Sequence, residues 1–142
     1  MKIAVVGAGS IGGTLVRYLA AAGHQVSVAN RRGPHTLADL AAQTGAVPTV
    51  LAEVTRGARV VIVSVPLESV PDLRTAGLVL PGEAVVVDTG NYVPYRGDGR
   101  IEELDNGAVE SRWTERHLGH PVVKSPAQTD AWRARWAAAA SA

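Results

Sequence analysis

The chain has 142 residues, 46% of them hydrophobic and 19% charged, with a formal net charge of +1 and no cysteine. That length and composition predict one globular domain with a buried core and exclude a disordered chain. The near-neutral charge gives no basis for nucleic acid or an anionic membrane surface as partner. The missing cysteine excludes disulfides, thiolate metal sites and a cysteine nucleophile, and it fits a cytoplasmic location.

The elements alternate from the first residues on. Lys2 to Val6 reads as a short buried strand. Glycines at 7, 9, 12 and 13 interrupt what would otherwise resemble a signal-peptide core, so the start is read as the first strand of the fold. Ile11 to Ala22 has helical spacing and stops at Gly23. Gln25 to Ala29 is a second strand and Thr36 to Thr44 a helix stopped by Gly45. A short strand is expected at Ala46 to Pro48 and a short helix at Ala52 to Gly57. Arg59 to Val65 is a β-branched strand ended by Pro66, and Glu68 to Ala76 a helix limited by Pro71. Glu83 to Asp88 is the next strand, Thr89 to Gly107 a glycine- and proline-rich loop, Glu110 to Leu118 a helix, and His120 to Lys124 a last strand. No apolar run reaches the roughly 20 residues of a membrane span.

This alternation, with continuously apolar central strands, predicts an α/β fold: a doubly wound parallel sheet of Rossmann type over residues 1–124. Residues 125–142 differ in character. Trp132 and Trp136 stand four apart before an alanine run, which reads either as a helix with an aromatic stripe or as a frayed tail.

Gly7-Ala8-Gly9-Ser10-Ile11-Gly12 has the spacing G-x-G-x-x-G, placed directly after a strand and opening a helix. That context turns a weak pattern into a dinucleotide-binding prediction. Gly7 permits the tight turn, Gly9 lets a diphosphate approach the backbone, and Gly12 lets helix and strand pack closely. The N–H groups of Ser10 and Ile11 are then the expected phosphate donors, helped by the helix dipole.

An NAD site commonly carries an acid about 20 residues past the glycines, for the ribose 2′-hydroxyl. Here that place holds Asn30, followed by Arg31 and Arg32. Asparagine does not repel a 2′-phosphate, and arginine suits bidentate phosphate contact, so the turn favours NADP over NAD. The competing reading is an ordinary solvated basic turn.

Three stretches, "MKIAVVGAGSIGGTLVRYLAAAGHQVSVANRRGP", "VVIVSVP" and "VVVDTGNYVPYRGDGRIEEL", resemble the NADPH-dependent coenzyme F-420 reductases. The Rossmann half of that family is similar to the N-terminal domain of pyrroline-5-carboxylate reductase. The resemblance spans residues 1–124. It implies hydride transfer between NADP(H) and a deazaflavin, with NADP and coenzyme F-420 as cofactors and no side-chain nucleophile or base. By position it assigns Ser10 and Ile11 to the diphosphate, and Arg32 to the 2′-phosphate with Arg31 where the family often has serine. Val65 and Pro66 fall beside the cofactor, and Thr89 and Asn91 near the nicotinamide. A homodimer is a further expectation.

The chain departs from the family at "VVKSPAQTD", where members usually read "VVKAFN" and continue into a helical portion that helps build the deazaflavin pocket and dimer contact. Nucleotide binding is therefore the firmer expectation. An NADP-dependent imine or carbonyl reductase and a catalytically silent NADP-binding module stay open as alternatives.

Lesser candidates have plainer readings. His24 reads as structural, and His117 and His120 as a surface pair more than a metal site. Asp88 is expected to bond loop N–H groups, and Glu102, Glu103 and Asp105 to form a solvated face. Tyr92 and Tyr95 either line the pocket or cap the core edge.

Overall fold

The apolar runs become six strands: β1 (Lys2–Val6), β2 (Gln25–Ala29), β3 (Val47–Pro48), β4 (Val60–Val63), β5 (Val85–Asp88) and β6 (Val122–Lys124). In the computed structural model, which describes residues 1–93 and 99–124, they form one sheet in the order β3-β2-β1-β4-β5-β6. Every neighbouring pair is parallel. The order reverses between β1 and β4, which creates the crevice where α/β sheets of this kind take ligands. The fold is thus a single-domain doubly wound α/β sheet, as the alternation of elements predicts.

Alternation along each strand divides the core between the two faces. Ile3, Val5, Val26, Val28 and Ile62 point to one face. There they meet Val16 of α1 (Ser10–Ala21), with Leu40 of α2 (Ala38–Thr44) packed alongside. Ala4, Val6, Val61, Val63 and Val86 point to the other. That face is covered by α3 (Leu51–Val54), α4 (Val70–Thr75), α5 (Glu102–Asp105) and α6 (Glu110–Leu118). A fully buried valine such as Val5 or Val61 contributes about 1.5 kcal/mol or more from apolar area alone.

Helix boundaries follow local chemistry. A 3-10 turn at Pro34–Leu37 precedes α2, and another at Leu67–Ser69 precedes α4. Pro71 falls in the first turn of α4, where a missing N–H costs nothing. Gly45 and Gly119 end α2 and α6 in the left-handed conformation.

Two expectations need correction. The stretch from Thr89 to Gly107 is not loop throughout, because Glu102–Asp105 forms the one-turn α5. Leu104 is buried, and the Ile101 carbonyl accepts from the amides of Leu104 and Asp105 at 3.0 Å each. A single turn is too short to show periodicity. The fourth strand also ends at Val63, not Val65, so Ser64 and Val65 leave the ladder. The Ser64 amide still donates to the Val6 carbonyl at 2.8 Å, which anchors the departing chain against β1. The expected C-terminal helix or tail at 125–142, and Tyr95, lie outside the described residues. Among the described residues no helix is long and apolar enough to cross a membrane.

Candidate functional site

The turn after β1 is built from backbone alone. Gly7 has φ +97°, and its N–H donates to the Ala29 carbonyl at 2.8 Å, tying the turn to the end of β2. A Cβ on Gly7 would be driven into the Ser64 carbonyl oxygen, and one on Gly12 into the Gly7 carbonyl oxygen. Gly9 is the opposite case: a Cβ there meets nothing within 4 Å, so the space above it is open.

No side chain caps α1, and its first backbone bond runs from the Gly13 amide to the Gly9 carbonyl at 2.8 Å. The amides of Ser10, Ile11 and Gly12 have no acceptor among the described residues. Together with the helix dipole they form a donor set for an anion. Ser10 and Ile11 are exposed, and Gly12 is buried behind them.

The second turn is rigid. Asn30 Oδ1 accepts from the Gly33 amide at 2.9 Å, and Asn30 Nδ2 donates to Thr36 Oγ1 at 2.8 Å. Asn30 therefore shapes the loop that carries the arginines, and its side chain is used inside the turn. Arg31 pairs with Asp72 of α4, with Nη2 3.0 Å from Oδ2 and both side chains more than half exposed. Arg32 is exposed and has no ion-pair or hydrogen-bond partner among the described residues.

A cleft of about 180 Å³ joins these parts at the carboxyl ends of β1, β2 and β4. Gly7, Gly9, Asn30, Arg31, Val65 and Pro66 line it, so six of the residues singled out from sequence converge there. Val6, Leu51, Ser64, Ser69 and Leu73 complete the wall, and of these Leu51, Ser69 and Leu73 carry no motif that would single them out. Ser10 and Ile11 follow directly at the start of α1, and Arg32 follows Arg31 on the turn. A larger depression of about 640 Å³ lies at the opposite end of the sheet, along Arg59, Val60, Ala84 and Val85. It borders the amino ends of the strands, away from the glycine turn and the free helix amides.

Thr89 and Asn91 do not line the cleft. They lie past the end of β5, where the Thr89 amide donates to the Val63 carbonyl at 3.0 Å. A buried charge network holds this loop. Asp88 is fully buried, and its Oδ1 accepts from the Gly90 amide at 2.7 Å. Its Oδ2 accepts from Thr114 Oγ1 at 3.0 Å and Lys124 Nζ at 2.7 Å. Lys124 also donates to the Gly90 carbonyl at 3.0 Å and stands 3.5 Å from Glu110 Oε2. Glu110 Oε1 accepts from the Tyr92 amide at 3.0 Å. Asp88 thus bonds a loop N–H as expected from sequence, while Lys124, Thr114 and Glu110 are partners that sequence reading missed.

Tyr92 packs against the core edge, and its hydroxyl donates to Asp105 Oδ1 at 2.7 Å while accepting from the Ile101 amide at 3.0 Å. Arg100 Nε binds the other Asp105 oxygen at 2.9 Å. The Tyr92 and Arg100 hydrogen bonds hold the Asp105 carboxyl below its usual range, and desolvation first, then the Asp105 bond, pushes the Tyr92 phenol up. Asp105 lies on the exposed face with Glu102 and Glu103, as read from sequence, and is in addition paired there with Tyr92 and Arg100. His117 Nδ1 and both ring nitrogens of His120 face backbone carbonyl oxygens.

Comparison with known proteins agrees with this geometry. No curated protein matches the chain. A crystal structure of a hypothetical protein from Sinorhizobium meliloti is similar at 28% identity and a TM-score of 0.73, covering 87% of this chain and 60% of that one. The chain thus spans about 60% of the length of that relative. An imine reductase from Streptomyces aurantiacus shares the fold at 16% identity and a TM-score of 0.65, covering 87% of this chain and 40% of its own. A reductive aminase from Aspergillus terreus, in complex with NADPH and ethyl levulinate, does so at 16% identity and a TM-score of 0.61, over 87% and 39%. The family model described as NADP oxidoreductase, coenzyme F420-dependent, matches residues 2–92, more than half of the sequence, and the chain belongs to that family.

Proposed function

We propose that this chain binds NADP(H) across the turns after β1 and β2 and serves hydride transfer between NADPH and a deazaflavin, coenzyme F-420. The observation that carries the reading is the open approach at Gly9, beside three helix amides without an acceptor among the described residues and a cleft edged by Arg31. An anionic diphosphate fits that donor set, and a 2′-phosphate fits a turn with two arginines and no acid at its start.

The nicotinamide supplies a hydride, a proton with two electrons, and the deazaflavin takes it up with one further proton. The chain's own residues bind and orient. The amides of Ser10 and Ile11 donate to the diphosphate. Arg32 neutralises the 2′-phosphate, with Arg31 beside it. Val65 and Pro66 lie close to the cofactor at the end of β4, and Thr89 and Asn91 flank the nicotinamide end. Hydride transfer between two rings asks for orientation more than for a side-chain base. In keeping with this, Asp88 spends both carboxylate oxygens on Gly90, Thr114 and Lys124.

A second reading, NADPH-dependent reduction of an imine or carbonyl, draws support from the fold shared with the imine reductase and reductive aminase. Titration separates nucleotide preference from chemistry. NADPH is expected to bind more tightly than NADH, and Arg32→Ala to weaken NADPH by about tenfold or more, the value of a lost charged hydrogen bond. Equal affinity for both nucleotides would end the NADP reading. Mixing the protein with NADPH and oxidised F-420 is expected to bleach the deazaflavin absorbance. Turnover of a cyclic imine without that bleaching would favour the second reading, and neither reaction would leave a nucleotide-binding module.

A further inference from the structure

We propose that Asp72 is a specificity-determining residue: an internal carboxylate that occupies Arg31 and must yield it when a 2′-phosphate arrives. The inference rests on the NADP(H) reading above and concerns the same cleft.

The Arg31–Asp72 pair joins the turn after β2 to α4 at the edge of the cleft that Arg31 lines. Arg31 lines the cleft itself, as do Ser69 and Leu73, which flank Asp72 in sequence and tie α4 to the wall. The carboxylate missing from the end of β2 has in effect been replaced by one reaching in from α4. Its contact is single, one guanidinium nitrogen to one oxygen at 3.0 Å. The side chains are 59% and 55% exposed, and ion pairs this open to water are weak.

A phosphate monoester carries more charge than a carboxylate and can take a guanidinium through two parallel hydrogen bonds. It therefore displaces Asp72 from Arg31. Asn30 and Thr36 fix the backbone of this turn through bonds to Gly33, so an arriving phosphate meets the Arg31 guanidinium with Asp72 already beside it. After displacement, Asp72 remains near a second anion and opposes it. NADH has no 2′-phosphate and need not break the pair. Asp72 thus lowers NADPH affinity and narrows the preference that the arginines create, while Arg32, free of such a partner among the described residues, keeps the preference in place.

The test is a double-mutant cycle on nucleotide binding. NADPH and NADH are titrated against the wild type, Asp72→Asn, Arg31→Ala and the double variant, with thermal unfolding run on each. Asp72→Asn is expected to tighten NADPH by roughly threefold to tenfold, the scale of one exposed charge, and to leave NADH within twofold. In the Arg31→Ala background the same substitution should lose most of that gain. Asp72→Ala, which removes the hydrogen-bonding group as well, should match Asp72→Asn.

If the wild type binds NADPH and Asp72→Asn binds it no better, the proposal falls while the NADP(H) reading stands. The proposal falls equally if NADH gains as much as NADPH, or if the gain persists undiminished without Arg31. If the wild type binds neither nucleotide, both readings fall together.

Discussion

The turn after β1 and the loop after β5 both lie at the carboxyl ends of central strands, yet they are held in opposite ways. The first is fixed by what it lacks. Gly7 and Gly12 are shaped by backbone oxygens that leave no room for a side chain, and Gly9 by empty space. The second is fixed by buried charge: Asp88 and Lys124 hold the amide and carbonyl of Gly90, and Glu110 beside Lys124 holds the Tyr92 amide. A turn meant to receive diphosphate must offer bare amides, and any side chain serving it would block them. The loop after β5 has no such duty, so its backbone groups can be satisfied internally and its position made rigid.

That contrast is most sharply broken at the glycines. Gly7→Ala places a side chain at φ +97° and against the Ser64 carbonyl, which the sheet cannot move. Backbone strain of about 1–3 kcal/mol adds to overpacking of about 1–3 kcal/mol, so a loss of about 4 kcal/mol is expected. Urea unfolding measures it. Gly9→Ala should leave stability nearly unchanged, since its Cβ meets nothing, while NADPH affinity collapses because the new methyl occupies the diphosphate approach. A Gly9→Ala protein that still binds NADPH normally would show that the open space is not the ligand's path.

The next break is at Lys124. Its side chain is 14% exposed against a fully buried Asp88, and removing one partner of such a pair costs about 3–5 kcal/mol. Lys124→Met leaves Asp88 with only Gly90 and Thr114, and leaves the Glu110 Oε2 oxygen without its nearby charge. Pairing Lys124→Met with Asp88→Leu should recover part of the stability, because it removes the buried unpaired charge while leaving the Gly90 amide and Thr114 hydroxyl without their acceptor. The loop through Thr89 and Asn91 should then exchange its amide protons faster despite the partly recovered melting temperature. Equal protection in the double variant would mean that the ladder bond from Thr89 to Val63 holds the loop by itself.

The same contrast explains what the sequence discloses. The glycine turn is legible because its cause is local: six consecutive residues between an apolar run and a helical one. The parallel, doubly wound class follows nearly as directly from alternating periods, and the basic turn from its distance to the glycines, whereas the strand order emerges only in the assembled sheet. The charge network is not legible, because Asp88, Thr114 and Lys124 are 26 and 36 residues apart and meet only once β5, α6 and β6 are assembled. The Arg31–Asp72 pair is hidden for the same reason, across 41 residues. Asn30 stands out in the sequence by position and lies at the cleft, but its side chain turns inward to Gly33 and Thr36, a choice set by loop geometry. The apolar cleft wall of Leu51 and Leu73 reads as ordinary core until the fold places it at a strand end.

The smallest effect is at the clasp of Tyr92, Arg100, Ile101 and Asp105, which brackets the outer part of the loop after β5. It relies on exposed hydrogen bonds, unlike the buried network beside it. The Asp105 carboxyl titrates below its usual range because Tyr92 and Arg100 bond its ionised form. A lowered carboxylate value means that its contribution is complete above the ordinary pKa of about 3.9 and fades as pH falls through the folded value. The raised Tyr92 value has the opposite sense: its contribution is complete below about 10 and is lost as pH rises through the folded value. The clasp is therefore intact across the range between, and opens at either extreme. The Ile101 amide, which donates to the Tyr92 hydroxyl, reports on it directly. Its nitrogen and proton shifts should stay flat from about pH 5 to 9 and move only below that range or well above it. Tyr92→Phe should abolish both transitions and lower the melting temperature by only a few degrees, the scale of one net hydrogen bond. An Ile101 amide that titrates in the variant as it does in the wild type would locate the acid response in some other carboxyl group and leave the clasp with no part in it.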